Sequence, residues 1–152
     1  MLLVACGSNS SGERSGVPSP TLSSQLTAVP LSSAQIDRFE LKSDARYDAQ
    51  GDPKGGGAYI TKQDITVRAH TSDVLRLDVV ATLCGSCGPI QAYAVPDQDG
   101  NAEASLHLPE TGHVYVVSAY GVLAKDDPLA KSASYDNEPV ISGGSIKVKA
   151  MP

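Results

Sequence analysis

The residues best suited to chemistry are two cysteines separated by two residues, in the run Cys84-Gly85-Ser86-Cys87. In an exported protein such a pair closes a small disulfide loop, and we predict a disulfide between Cys84 and Cys87. The same pair could serve as a redox dithiol if a helix N-terminus or a nearby cation lowered the pKa of one thiol. The flanking residues have the pattern of strands, and Pro89 follows, so the structural disulfide is favoured.

A short acidic segment offers oxygen ligands for a metal ion. Asp97, Asp99 and Asn101 lie at alternate positions, as do the first ligands of a calcium-binding loop. Such a loop needs a bidentate acid at its twelfth position, which counted from Asp97 is Leu108. These three residues are therefore weak metal candidates, a plain hairpin turn is favoured, and we predict no cofactor.

Recognisable catalytic motifs are missing from the sequence. There is no Gly-x-Ser-x-Gly, phosphate-binding loop, HExxH motif or dinucleotide fingerprint. His107 and His113 flank one turn and would complete a zinc set with the two cysteines, but nothing in the sequence brings the pairs together. We therefore predict no catalytic residues and a protein that is not an enzyme.

Length and composition limit the function classes. The chain has 152 residues, enough for one domain, and 41% of them are hydrophobic, so it is not wholly disordered. The net charge of −5 argues against a nucleic-acid partner. No run of 18 apolar residues is present to form a membrane-spanning helix.

The run Leu3-Val4-Ala5-Cys6 resembles the lipobox of bacterial lipoproteins. The resemblance implies that residues 1–6 are the remnant of a signal peptide and that the Cys6 sulfur carries a diacylglyceryl group, with an added N-acyl chain such as palmitate in many bacteria. Only five residues precede Cys6 and none is basic, which departs from a complete signal peptide. The alternative is a buried N-terminal strand. Gly7 is not the aspartate that would imply inner-membrane retention, which favours the outer membrane in a diderm host.

Residues 7–35 have the composition of a linker. They contain nine Ser, three Pro and three Gly, and their apolar residues follow no helical or strand period. Such a segment buries too little apolar surface to offset the entropy of ordering the chain. We predict a flexible, disordered tether here.

Residues 36–152 alternate between apolar and polar side chains, the period of half-buried strands. Seven or eight short strands are predicted around the following apolar residues: Phe39 and Leu41, Ile65 and Val67, Leu75 to Val79, Ile90 to Ala94, Ala104 to Leu108, Tyr115 to Ala119, and Ile146 and Val148. Residues 121–142 show no clear period and are predicted to form a long excursion with one short helical turn. Short strands and frequent turns predict an all-β, antiparallel sandwich, with a barrel as the alternative.

The segment 88–119 resembles the central strands of bacterial immunoglobulin-like and prealbumin-like surface modules. Asp99-Gly100 supplies a positive φ for a hairpin turn, Pro109 ends one strand, and Gly112 allows the bend into the next. Tyr115 is placed where its hydroxyl can bond to the backbone at the corner of such a sandwich. The resemblance implies an exported immunoglobulin-like β-sandwich that binds or supports a partner.

Together these features predict a lipid-anchored lipoprotein of the bacterial cell envelope, facing the periplasm or the exterior, with a non-catalytic β-sandwich. Its expected partners are the membrane, through the lipid on Cys6, and a protein or glycan of the envelope. The expected contact surface is a sheet edge or the loops at one end, including residues 121–142. Two alternatives are an exported thiol-redox protein that uses Cys84 and Cys87, and a secreted accessory domain, similar to pre-peptidase domains, that binds carbohydrate or protein.

Overall fold

A computed structural model describes residues 32–42, 45–83 and 88–152, and this part of the chain is all-β. Its ten strands are β1 (Gln35–Leu41), β2 (Arg46–Asp48), β3 (Ala58–Thr61), β4 (Asp64–Ser72), β5 (Arg76–Leu83), β6 (Ile90–Ala94), β7 (Asn101–His107), β8 (Val114–Val122), β9 (Ser134–Tyr135) and β10 (Glu138–Ala150). Within these ranges there is no helix long and apolar enough to cross a membrane. The prediction of an all-β domain is confirmed, with ten strands in place of the expected seven or eight.

The larger sheet has the strand order β2-β3-β10-β8-β5-β6, and β9 pairs with the beginning of β10. All of its pairings are antiparallel except that of β10 with β3, which is parallel. The long strand β10 pairs with β8 along most of its length, with a register shift between Ser142 and Ser145. Glu138 and Pro139 at its beginning also pair with β9, and Val148 to Ala150 at its end pair with β3.

The smaller sheet has the order β1-β4-β7, with antiparallel pairing throughout. Its apolar side chains and those of the larger sheet form one hydrophobic core, because alternation along each strand sends every second side chain inward. The most deeply buried core residues are Val67, Leu77, Val79, Leu108, Tyr115, Val117 and Val148. The two sheets therefore pack face to face across a shared interior.

The predicted faces are confirmed on most strands. Tyr115, Val117 and Ala119 of β8 point into the core, as do Leu77 and Val79 of β5. The inclusion of Leu75 was wrong, since β5 begins at Arg76 and the Leu75 side chain is 60% exposed. Leu75 has the right residue type for the pattern but lies in the turn before the strand.

The predicted excursion over residues 121–142 was too long. Gly121 and Val122 complete β8, and residues 134–142 form β9 and the start of β10. Successive turns occupy residues 124–132, without a helix, where backbone N–H groups donate to carbonyls three residues earlier. Strand β9 was not predicted, because its hairpin depends on two residues at positive φ, Asp136 at 52° and Asn137 at 65°.

The turn at Asp99-Gly100 lies where it was predicted, but it does not connect two strands of one sheet. Gly100 has the expected positive φ of 86°, but β6 belongs to the larger sheet and β7 to the smaller one. The turn is therefore a crossover between sheets, and the prediction of a hairpin was wrong.

The Tyr115 prediction is confirmed, because its buried hydroxyl accepts a hydrogen bond from the backbone N–H of Glu110 at 3.0 Å.

Candidate functional site

All three cysteines lie outside the described residues, so both the lipidation of Cys6 and the pairing of Cys84 with Cys87 stay predictions. The strands on either side of the second pair are described. β5 ends at Leu83, β6 begins at Ile90, and the two strands pair antiparallel. The thiol-redox alternative likewise stays a prediction.

The acidic segment at Asp97 uses its first carboxylate to hold the turn. Asp97 Oδ1 accepts hydrogen bonds from the backbone N–H groups of Asp99 and Asn101, each at 2.9 Å. The N–H of Asn101 is the main reason that the pKa of Asp97 lies below its ordinary value. Stabilising the turn accounts for Asp97 without a metal ion, since its oxygen is already directed at the backbone.

The histidines are separated by the fold. His107 is paired through Nδ1 with Asp64 Oδ1 at 2.7 Å on the smaller sheet, whereas His113 precedes β8 of the larger sheet. His70 lies between Asp37 Oδ1, 2.7 Å from Nδ1, and the Asp99 carbonyl oxygen, 2.9 Å from Nε2. Across residues 32–42, 45–83 and 88–152, no group of three or more His, Cys, Asp or Glu is arranged to hold a metal ion.

The outward surface of the larger sheet brings together aromatic and polar side chains that the sequence analysis did not single out. We call it the tyrosine face and define it by Arg76, Gln91, Tyr93, Tyr120 and Tyr135. The register places Tyr93 and Tyr120 opposite Asp78, one on each side of β5. Directly opposed residues share a face, and the neighbours Leu77 and Val79 point into the core, so these side chains point outward.

Tyr135 reaches this face through the β9–β10 hairpin. The tight turn at Asp136 and Asn137 folds β9 back along β10, which pairs in turn with β8. The Tyr135 ring then stacks on the Tyr120 ring, with centroids 4.9 Å apart and planes inclined by 6°. Such stacked aromatic pairs contribute about 0.5–1.5 kcal/mol beyond the area they bury, which fixes the hairpin on the face.

A hydrogen-bonded chain crosses the face from β6 to β9. The Tyr93 hydroxyl and the Gln91 Oε1 atom are 3.1 Å apart, and the Gln91 Nε2 atom and the Tyr135 hydroxyl are 2.7 Å apart. Gln91 and Tyr93 are two residues apart on one strand, so both point outward. We call this arrangement the Tyr93–Gln91–Tyr135 relay.

Arg76 forms the charged border of the face. Its guanidinium binds Asp78 through two hydrogen bonds of 2.6 and 2.9 Å and contacts Glu138 at 3.2 Å. The hydrogen bond to Asp78 is the main reason that the pKa of Arg76 is raised. The guanidinium also lies 4.8 Å from the centre of the Tyr93 ring, a cation–π contact. Asp78 is only 5% exposed, so Arg76 is paired with a buried carboxylate.

A groove lies at the other end of the same outward surface, with a volume of about 350 Å³. Lys147, Asp52 and His113 contribute to its lining, together with apolar side chains such as Val116. Lys147 Nζ donates to Asp52 Oδ2 at 2.7 Å and to the Gly55 carbonyl at 3.2 Å. The hydrogen bond from Lys147 lowers the pKa of Asp52. Through its bonds to Asp52 and Gly55, Lys147 stabilises the glycine-rich turn that contains them.

Part of the tyrosine face has a signal in the sequence. Gln91 and Tyr93 alternate with Ala92 and Ala94, which indicates that the larger side chains point outward. The position of Tyr135 has a weaker signal, the dipeptide Asp136-Asn137, whose residue types tolerate the left-handed conformation that the turn requires. No local pattern predicts that Tyr135 stacks on Tyr120.

This arrangement is suited to binding through hydroxyl, amide and aromatic groups. Its side chains are held by one another before any ligand arrives, which lowers the entropy cost of association.

Searches of protein families, curated proteins and solved structures found no match to this chain.

Proposed function

We propose that the protein is a lipid-anchored lipoprotein of the bacterial cell envelope whose immunoglobulin-like sandwich binds an envelope partner through the tyrosine face. In this proposal Cys6 carries the lipid, the predicted linker that follows acts as a spacer up to the residues that enter β1 at Gln35, and the sandwich faces the periplasm or the exterior. The role is binding and not catalysis. The observation that carries the binding role is the pre-formed set of contacts among Gln91, Tyr93 and Tyr135.

The strand order supports an immunoglobulin-like arrangement. One sheet has the order β1-β4-β7 and the other places β10, β8, β5 and β6 side by side. The chain passes from one sheet to the other five times, between β1 and β2, β3 and β4, β4 and β5, β6 and β7, and β7 and β8. Repeated crossings of this kind are typical of Greek-key sandwiches. The buried Tyr115 hydroxyl bonded to the backbone before β8 matches the tyrosine corner of such domains.

The composition of the tyrosine face supports a binding role. Tyrosine and arginine are enriched at the points of interfaces that contribute most to affinity, because each combines a large contact area with hydrogen bonding. Tyr93 is 56% exposed although it contacts Arg76 and Gln91, so much of its surface is available to a partner. Rigid tyrosines beside small polar groups are also typical of antibody binding surfaces.

The anchor proposal rests on the resemblance of Leu3-Val4-Ala5-Cys6 to a lipobox. A single acyl chain gives only marginal membrane binding, at about 0.8 kcal/mol per buried CH₂ group, and stable attachment needs at least two chains. A diacylglyceryl group supplies two. The spacer before β1 would then separate the sandwich from the lipid surface and leave the tyrosine face accessible.

The test of the anchor is labelling with palmitate in a bacterial host. The wild-type chain, expressed behind a complete signal peptide that ends at the same lipobox, is expected to incorporate label and to fractionate with membranes. Cys6→Ser should lose both properties, whereas the control variant Cys84→Ser/Cys87→Ser should keep both. Label that persists in Cys6→Ser, or membrane association without label, would refute the proposed anchor.

A further inference from the structure

Both hydroxyl groups of the Tyr93–Gln91–Tyr135 relay keep hydrogen-bonding capacity that the relay does not use, and the Gln91 amide keeps its second N–H. If the Tyr93 hydroxyl donates to Gln91 Oε1, and Gln91 Nε2 donates to the Tyr135 hydroxyl, then the Tyr135 proton is left over. The Tyr93 oxygen meanwhile keeps its lone pairs. Within the described part of the chain neither hydroxyl has a further hydrogen-bond partner. The relay therefore presents a donor at one end and an acceptor at the other.

This property does not depend on the orientation of the amide. Rotation of the Gln91 amide by 180° exchanges its oxygen and nitrogen atoms. The Tyr135 hydroxyl then donates to Gln91, and the Tyr93 hydroxyl accepts and keeps its proton. The two hydroxyl groups again offer one free proton and one free set of lone pairs, now with their places exchanged.

The relay selects against ionic ligands. A carboxylate or phosphate accepts hydrogen bonds only, and an ammonium group donates only, so neither can use both ends of the relay. The nearby charge of Arg76 is already paired with Asp78 and Glu138, which leaves no uncompensated cation at this border. A neutral hydroxyl group both donates and accepts, and two neighbouring hydroxyl groups can satisfy either orientation of the amide.

The aromatic rings add a second requirement. The exposed Tyr93 and the stacked Tyr120–Tyr135 pair offer apolar surface directly beside the relay. A suitable ligand therefore carries hydroxyl groups and C–H surface side by side, as a sugar ring does. An extended peptide is less suitable, because it is recognised through backbone hydrogen bonds at a sheet edge, whereas this relay lies on the outward surface of a sheet.

We propose that the tyrosine face binds an uncharged carbohydrate chain of the cell envelope. The proposal rests on the function proposed above, in which this face is the binding surface, and it assigns the chemical class of the partner. Hydroxyl groups of one sugar unit exchange hydrogen bonds with Tyr93 and Tyr135, and the C–H surface of a sugar ring packs on the exposed aromatic rings.

The test uses sedimentation of the protein with envelope fragments from the native host. The full chain carries Cys6→Ser, so that no lipid contributes to binding, and the fragments are used untreated, protease-treated or treated with periodate, which cleaves vicinal diols. We expect binding to survive protease and to be lost after periodate. Binding lost to protease but kept after periodate would overturn the carbohydrate proposal in favour of a protein partner and leave the binding role of the face standing.

Three variants test the relay itself. Gln91→Leu and Tyr135→Phe each remove a member of the relay, and each is expected to weaken binding about tenfold, the effect of one or two lost hydrogen bonds. Tyr47→Phe is the matched control, because Tyr47 is similarly exposed, at 59%, but lies on β2 away from the relay. All three side chains are at least partly exposed, so the variants should fold, and thermal unfolding verifies this.

Two outcomes would contradict the proposal in different ways. If Gln91→Leu and Tyr135→Phe bind periodate-sensitive fragments as tightly as the parent Cys6→Ser chain, the assignment of the relay is wrong. If the parent Cys6→Ser chain binds no fragments under any treatment, the binding role proposed for the face is itself wrong. The palmitate experiment is independent of both outcomes, since it does not involve the sandwich surface.

Discussion

Replacement of Gly100 by alanine tests the crossover turn between the two sheets. Gly100 has a φ of 86°, where a residue with a Cβ atom is strained by about 1–2 kcal/mol. A Cβ atom built there would also lie 2.2 Å from the carbonyl oxygen of Thr71, well inside contact distance. Because that oxygen belongs to the backbone, the turn must move away from β4.

The movement also affects two hydrogen bonds. The Gly100 carbonyl accepts from the backbone N–H of Thr71 at 2.8 Å and from its hydroxyl at 3.1 Å. Thr71 is buried, so each bond that is lost costs about 1 kcal/mol. Together with the backbone strain, we expect Gly100→Ala to lower the free energy of unfolding by about 3–4 kcal/mol.

Gly112→Ala is the matched control. Gly112 has a φ of 80°, but no atom of the described residues lies within 4 Å of a Cβ atom built there. It should therefore lose only the backbone term of about 1–2 kcal/mol. Urea unfolding at 25 °C measures both variants on one scale. Equal losses for Gly100→Ala and Gly112→Ala would refute the close approach of the turn to Thr71.

Three further predictions concern single side chains. Tyr115→Phe removes the hydrogen bond that the Glu110 N–H donates to the Tyr115 hydroxyl, and should lower the free energy of unfolding by about 0.5–1.5 kcal/mol, measured by urea unfolding; an unchanged midpoint would contradict the corner contact. Arg76→Met removes the principal partner of the buried Asp78 carboxylate, and we expect the free energy of unfolding to fall by about 3 kcal/mol near pH 7; a loss under about 1 kcal/mol would show that the ion pair is dispensable. Because folding lowers the pKa of Asp97 below 3.8, its ionised carboxylate stabilises the folded state above pH 3.8. This stabilisation is lost as the pH falls further through the folded-state pKa. Asp97→Asn should therefore flatten the stability profile below pH 4, and a profile that keeps its slope would refute this assignment.

The alternation of side chains was sufficient to predict the all-β class and most of the inward faces. Tyr115, Val117 and Ala119 follow each other at period two, and the core confirms that face. The pattern failed for β2 and β3, whose runs Arg46–Asp48 and Ala58–Thr61 are too short to establish a period. These strands exist because β3 pairs with the last residues of β10, a contact between distant parts of the chain.

The candidate site depends even more on contacts between distant residues. A tyrosine at position 135 follows a region of turns, and its sequence neighbours do not indicate a role. It becomes part of the face only because β9 folds back on β10 and the ring meets Tyr120 and Gln91. From the sequence, residues 121–142 were expected to form a loop at one end of the sandwich and to belong to the contact surface, and that contact role stays a prediction. The structure brings Tyr135 onto the outward surface of a sheet.

The most direct test of the account is a footprint of the bound protein. Hydroxyl radicals oxidise exposed tyrosines, and mass spectrometry reports the rate at each residue with and without envelope fragments. We predict that bound fragments protect Tyr93 and Tyr135 and leave the exposed Tyr47 unchanged. Protection of Tyr47 with unchanged oxidation of Tyr93 and Tyr135 would place the partner on the opposite edge of the larger sheet and contradict the binding role of the tyrosine face.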